Sequence, residues 1–232
     1  MRSTVAVLAS LPLVIAVATP AAANQINTGG EKGAYHSTFC PQLASELAKS
    51  KFDYSCSTSN GSRENIRRVS GDAAQIGFSQ LDVFQLEMEA TGAAKDYTVL
   101  RSDLGRECLF IVTRNQDITN YGEVVALADQ LRFVLPPQNS GSAGTFEYLQ
   151  QIDPEGLGRI REGITYAGST EEAIATALSA DNTATLFVQF PDPKNDRFKS
   201  IFDQGGNVVP VIDRNILRQE VDGQKVYYAD ET

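Results

Sequence analysis

Three short loops in this 232-residue sequence carry the residue types from which an anion site is built. Gly29-Gly30-Glu31-Lys32-Gly33-Ala34 follows a stretch that reads as a strand and precedes a helix. Ser59-Asn60-Gly61-Ser62 and Ser140-Gly141-Ser142-Ala143-Gly144-Thr145 do the same. At a helix start the first backbone N–H groups lack partners inside the helix, and the dipole adds partial positive charge, so such a loop can hold a carboxylate. Serine and threonine hydroxyls add donors. One glycine-rich turn is ordinary turn chemistry. Three, each after a strand and before a helix, should open together at the carboxyl ends of parallel strands, where α/β sheets bind ligands. The first loop lacks the Gly-Lys-Ser/Thr ending of a nucleotide-phosphate loop and is not G-x-G-x-x-G.

Catalytic machinery is harder to assemble from this chain. His36 is the only histidine, so a Ser-His-Asp triad has one possible base. No G-x-S-x-G elbow precedes a helix. A Cys/His metal site lacks ligands. Glu171-Glu172 stands at a helix start, where two acids complement the dipole. The residues read as a binder: not an enzyme, with no cofactor and no metal.

The elements that must position these loops follow from periodicity. A short strand is expected over 24–28. Phe39, Leu43 and Leu47, with Ala44 and Ala48, give a helical stripe. Strands follow at 52–57 and 74–78, with helices at 62–70 and 80–90; Ser62 is expected to cap the first of these, and Gly71 to stop it. This β-α-β-α-β-α order implies a parallel sheet with right-handed crossovers. Further on, extended segments are expected at 97–100, 108–113, 131–135, 164–167, 184–189 and 207–212, with an edge strand at 226–228. Helices are expected at 123–130, 145–151, 170–179 and 196–204, the third opened by a capping box at Ser169.

The first 23 residues decide the compartment. Arg2, an apolar run over 5–17 and Ala21-Ala22-Ala23 are the three parts of a cleaved secretory signal. The run is shorter than the roughly 20 apolar residues that span a bilayer. The mature protein then begins near Asn24 and is periplasmic. Its net charge is about −10, one unit beyond the −9 of the whole chain, which argues against nucleic acid as a partner. Three cysteines in an exported chain imply one disulfide and one leftover. Cys40 and Cys56 are the expected pair, because a strand-helix-strand unit brings both to the same end of the sheet. Cys108, in the apolar run CLFIV, is expected to be a buried thiol.

Taken in order, TGG-x-x-GAY (28–35), SNGSRENI-x-R (59–68), G-D-x-x-Q-I-G-F-x-Q (71–80) and PP-x-x-SGS-x-G-T (136–145) resemble the blocks of the TAXI-type solute receptors. These are extracytoplasmic binding proteins linked to TRAP transporters. The resemblance covers about 27–145 and thins afterwards, and the chain is shorter than typical members. It implies an α/β, two-lobed type II periplasmic-binding-protein fold with a ligand cleft between lobes. The first lobe would comprise 24–102 and 187–232, the second 103–186, with crossings near 102–107 and 186–190 acting as a hinge. It also implies a small polar or anionic solute, with a membrane transporter or receptor as partner; a sensor or accessory protein on the same scaffold is the alternative.

On this reading the ligand is held by Gly29, Gly30, Tyr35, Asn60, Gly61, Ser62, Gln80, Ser140, Gly141, Ser142, Thr145 and Gln189. The glycines admit backbone, Tyr35 stacks or donates, Asn60 to Ser62 offer helix-start groups, and Gln80 and Gln189 offer amides. Arg63 is available to neutralise an anion. Arg67 and Arg68 are expected to face solvent, and His36 to be a helix-start neighbour.

Overall fold

A computed structural model describes residues 24–102, 104–192 and 196–229; the expected signal segment lies outside the described residues. The first lobe is built on a three-stranded parallel sheet in the order β2-β1-β3, formed by β1 (Gln25–Asn27), β2 (Ser55–Ser57) and β3 (Gln75–Gly77). Ile26 on the central strand pairs with Cys56 on one side and Ile76 on the other, and is wholly buried. Helix α1 (Cys40–Lys49) lays Leu43, Ala44 and Leu47 on the cluster around Ile26 and Phe78, as the four-residue spacing requires. Helix α2 (Ser62–Ser70) and helix α3 (Leu81–Thr91) complete the lobe. Gly92, left-handed at φ 67°, ends α3 by bonding its N–H to the Met88 carbonyl.

The second sheet has five strands in the order β6-β5-β7-β4-β8. They are β4 (Cys108–Thr113), β5 (Arg132–Leu135), β6 (Ile164–Tyr166), β7 (Thr183–Gln189) and β8 (Asn207–Val209). β5 is parallel to β6 and β7, whereas β4 is antiparallel to β7 and β8. Helices α4 (Tyr121–Ala126), α5 (Gly141–Ile152), α6 (Thr170–Ala177) and α7 (Asp196–Asp203) accompany it. Side chains alternate across β4: Ile111 joins Phe133, Leu135, Phe146 and Leu186 in one core, and Val112 joins Ile174, Phe187 and Ile201 in another. Both faces of this sheet are therefore buried. The architecture is α/β and two-lobed, as expected.

Several boundaries differ from the sequence reading. Helix α5 begins at Gly141, so most of the glycine-serine loop is its first turns. Helix α4 begins earlier than expected because Asn120 and Glu123 form the capping box there. Residues 97–100 are in no strand. Instead of an edge strand at 226–228, β9 (Glu220–Val221) and β10 (Gln224–Lys225) make a hairpin through Asp222-Gly223. Both turn residues have positive φ, the Asp-Gly preference of a tight hairpin.

The stretch after β7 adds its strand to the second sheet, while Phe190 and Tyr227 reach the first lobe at Tyr35 and Asp82. Val208 and Val209 pair with β4, whose edge would otherwise lie open. Phe198 of α7 packs on Phe110 and Phe187. At the other end of β7, Gln189 is still paired with Cys108. Among the described residues every strand of the first sheet precedes β4, and β4 to β8 all belong to the second.

Cys40 and Cys56 form the disulfide, with their Cα atoms 5.9 Å apart. It ties the first turn of α1 to β2 across a sequence separation of 16. In the chain-entropy model such a loop contributes about 3 kcal/mol. The double variant Cys40→Ala/Cys56→Ala should lose that amount in urea unfolding, and the wild type should lose it on reduction. Cys108 lies outside the disulfide and is half-buried rather than fully buried.

Candidate functional site

Asn65 gathers the carboxyl ends of the first sheet. It is 1% exposed, and its Nδ2 donates to the carbonyls of Thr28 and Phe78, both at 2.8 Å. Its Oδ1 accepts from Ser59 Oγ at 2.6 Å, while Ser59 N donates to the Gly29 carbonyl at 3.0 Å. One buried carboxamide, with donors and acceptor all used, thus fixes the loops after β1, β2 and β3 in one cluster.

The second lobe meets that cluster through α5. Gly61, at φ 118°, sits so close to it that a Cβ would lie 3.0 Å from the backbone nitrogen of Gly141. A Cβ on Gly141 would lie 1.7 Å from Gln80 Oε1 and 2.8 Å from Ser62 Oγ. Glycine is required at 61, where φ is positive and the facing atoms are backbone, while at 141 a Cβ would meet the movable end of Gln80. Ser62 is not the cap of α2, which is Gly61; it is the first helical residue, buried, and its hydroxyl donates to Gln80 Oε1 and accepts from Gln80 N, each at 3.2 Å. The Gln80 amide also lies close enough to the Glu107 carboxylate to lower its pKa. Gln80 therefore stands between the N-termini of α2 and α5, bonded to Ser62 and near Glu107.

Tyr35 forms the adjoining wall. It opens a π-helical turn, Tyr35–Phe39, in which Cys40 N reaches back to the Tyr35 carbonyl. Such turns recur at functional sites. Its ring stacks on Phe78 with centroids 5.0 Å apart and meets Phe190 edge-on at 5.6 Å. Its hydroxyl donates to Glu107 Oε2 at 3.1 Å. Burial pushes the Glu107 carboxyl up from 4.5 to about 7; the Tyr35 hydrogen bond opposes this, the Asp82 charge adds to it and the Gln80 amide opposes it. Burial and Glu107 together hold the Tyr35 hydroxyl well above its ordinary value.

Asp82 lies deeper, 5% exposed, accepting from Thr145 Oγ1 at 2.6 Å and Tyr227 OH at 2.8 Å. Burial raises its carboxyl, and those two hydrogen bonds pull the other way. Thr145 is on α5, so this is a bond between lobes. The Thr145 hydroxyl is thereby used within the protein, as is that of Ser142, which accepts from Val188 N at 3.0 Å. Ser140 caps α5 by accepting from Ala143 N.

The remaining expected residues divide. Gly29 and Gly30 face open space, where an added Cβ would meet nothing. Asn60 is exposed and donates its N and Nδ2 to Glu64. Gln189 turns to α7, accepting from Arg197. His36 Nδ1 lies 3.0 Å from Thr28 Oγ1. Arg63 is not a ligand counter-charge: buried, it pairs with Glu87 at 2.9 Å and with Glu147 of α5. Arg68 is not turned to solvent, since it donates to Asn27 Oδ1, Ser57 Oγ and the Thr58 carbonyl. Glu107, Asp82, Asn65 and Tyr227 were missed; only the N-x-R spacing of α2 hinted at Asn65.

The raised Glu107 carboxyl has a measurable consequence. Its protonated form is favoured in the folded state, so its contribution to stability is full below about 4.5 and lost as pH rises through about 7. The urea midpoint of wild type should fall across that window. Glu107→Gln, which keeps the shape without the charge, should flatten the profile and be the more stable protein at pH 8.

No family model matches the chain. No curated protein matches it either. Solved structures similar to it include the effector-binding domain of QuiR in complex with shikimate, at 13% identity and TM-score 0.47 over 82% of this chain and 80% of that one. The GluR0 ligand-binding core with L-glutamate is similar at 11% and 0.45, over 84% and 82%. The arginine-, lysine-, histidine-binding protein ArtJ of Geobacillus stearothermophilus is similar at 14% and 0.49, over 83% and 77%. These are likenesses of architecture, and what those proteins bind stays with them. No helix among the described residues is long and apolar enough to cross a membrane.

Proposed function

We propose that this chain is an exported solute-binding protein of the TAXI type, which captures a small polar, carboxylate-bearing solute between its lobes for a membrane transporter. The observation that carries this reading is the meeting of α2 and α5. Two helix N-termini from different lobes converge at Gly61 and Gly141, with a polar head group seated between them. That arrangement favours an oxygen-rich group in the gap. Gly61, Ser62, Gln80, Ser140 and Gly141 form the floor. Tyr35 and Glu107 form the wall, and the 92–107 connector is where the lobes pivot. Gly29, Gly30 and Asn60 form the rim, while Ser142, Thr145 and Gln189 support it from behind. The signal-like first 23 residues support periplasmic delivery.

Isothermal titration of residues 24–232 against amino acids and dicarboxylates tests this. A saturable heat is expected for at least one of them, weakened at least tenfold by Ser62→Ala. A second reading, a sensor or accessory protein on the same scaffold, is favoured by the filled state of the junction, where the Gly61 and Gly141 backbones touch. Flat titrations across the whole set, with the fold intact, select that second reading.

A further inference from the structure

The group that fills the junction is a side chain of the protein itself. Gln80 Oε1 lies 1.7 Å from the position a Cβ on Gly141 would take, and Gln80 Cδ lies 2.8 Å from it. The carboxamide therefore occupies the hollow left by a missing side chain on the first turn of α5. Its oxygen accepts from the Ser62 hydroxyl, and its amide lies near enough to the Glu107 carboxylate to lower that group's pKa. Its backbone is anchored separately: Gln80 N donates to Ser62 Oγ, and Gln80 O accepts from Phe84 N at 3.0 Å to start α3. The side chain can leave without unravelling the helix.

We propose that Gln80 is the resident occupant of the interlobe site, its carboxamide standing where a solute head group binds, so that capture requires this side chain to swing out. The proposal rests on the receptor reading and adds to it the group that must be displaced and the shape of its replacement. The incoming group is planar, a carboxamide or carboxylate on a narrow aliphatic neck, because such a group repeats the contact to Ser62 in the hollow under Gly141. Competition by a tethered group lowers the apparent affinity by the fraction of molecules in which the site is vacant. Removing the tether should restore the intrinsic affinity.

The test is chemical rescue. Propionamide is the Gln80 side chain as a free molecule, and propionate is its carboxylate counterpart. Gln80→Gly and Gln80→Ala are both prepared, since glycine is well tolerated at the N-cap position Gln80 holds and alanine guards against excess backbone freedom. Millimolar propionamide or propionate should raise the melting temperature of both variants by several degrees and leave wild type unmoved. Any metabolite that wild type binds should bind Gln80→Gly at least tenfold more tightly. If neither small molecule stabilises either folded variant, or if wild type responds equally, Gln80 is not the occupant. A metabolite bound by wild type but more weakly by Gln80→Gly keeps the receptor and overturns the occupant, making Gln80 an ordinary contact. Rescue by propionamide with no metabolite bound by any form overturns the receptor reading instead.

Discussion

Replacing Asn65 by alanine should destabilise the protein by about 3–5 kcal/mol and abolish solute capture together. The side chain is buried, and its removal leaves the Thr28 and Phe78 carbonyls and the Ser59 hydroxyl without their partner. Each buried polar group so orphaned costs about 1–3 kcal/mol, and the small cavity adds to that. Asn65→Asp keeps the shape but replaces two donated hydrogens with charge, and should be no better. The contrast is Asn60→Ala, five residues earlier on an exposed loop, where only the Nδ2 bond to Glu64 is lost, the backbone N–H bond remains, and the effect should stay within about 0.5 kcal/mol. Urea unfolding of the three variants measures the difference. Equal effects at positions 60 and 65 would mean that the loop ends are not held by this side chain.

Arg63→Met should cost about 3 kcal/mol and loosen one lobe from the other. Arg63 joins Glu87 of α3, in its own lobe, to Glu147 of α5, in the other, and its Nη1 reaches the Gln138 carbonyl at 3.4 Å. Breaking a buried ion pair from one side strands the partner charge. Here most of the loss falls on Glu87, whose side chain is 19% exposed, because Glu147 at 48% recovers water. Arg63→Lys should not restore it, since one ammonium cannot serve three acceptors in a planar fork. Urea unfolding measures the stability loss. Small-angle scattering should report a larger radius of gyration for Arg63→Met at equal foldedness. An unchanged radius would show that the lobes are held by apolar packing, chiefly Val83 under Gly144, rather than by this ion cluster.

What the sequence disclosed and what it withheld divide along physical lines. Helix α2 was legible in extent, with Gly71 stopping it, although its cap is Gly61 rather than the expected Ser62, and the Cys40–Cys56 pair followed from strand-helix-strand geometry. Helix α5 was misread at its start because Gly141 and Gly144 are poor helix formers. They are helical here because Gln80 and Val83 pack where side chains would be, a tertiary demand with no local signature. Sheet membership is likewise non-local: Asn207–Val209 reads as a strand, but nothing in those residues says that β4 is its partner. The hydroxyls of Ser142 and Thr145 looked available for a ligand, yet Val188 and Asp82 take them. Glu107 was one acid among 29 until the fold buried it beside Tyr35 and Gln80.

Thermal denaturation of the wild-type protein across several hundred small polar metabolites, each at millimolar concentration, addresses the receptor idea most directly. A compound that binds only the folded form at ~100 times its Kd stabilises it by about 2.7 kcal/mol, which moves the melting point by several degrees. At least one carboxylate-bearing compound should do so, and Ser62→Ala should erase the shift. A folded protein that no compound in the set stabilises would contradict the account.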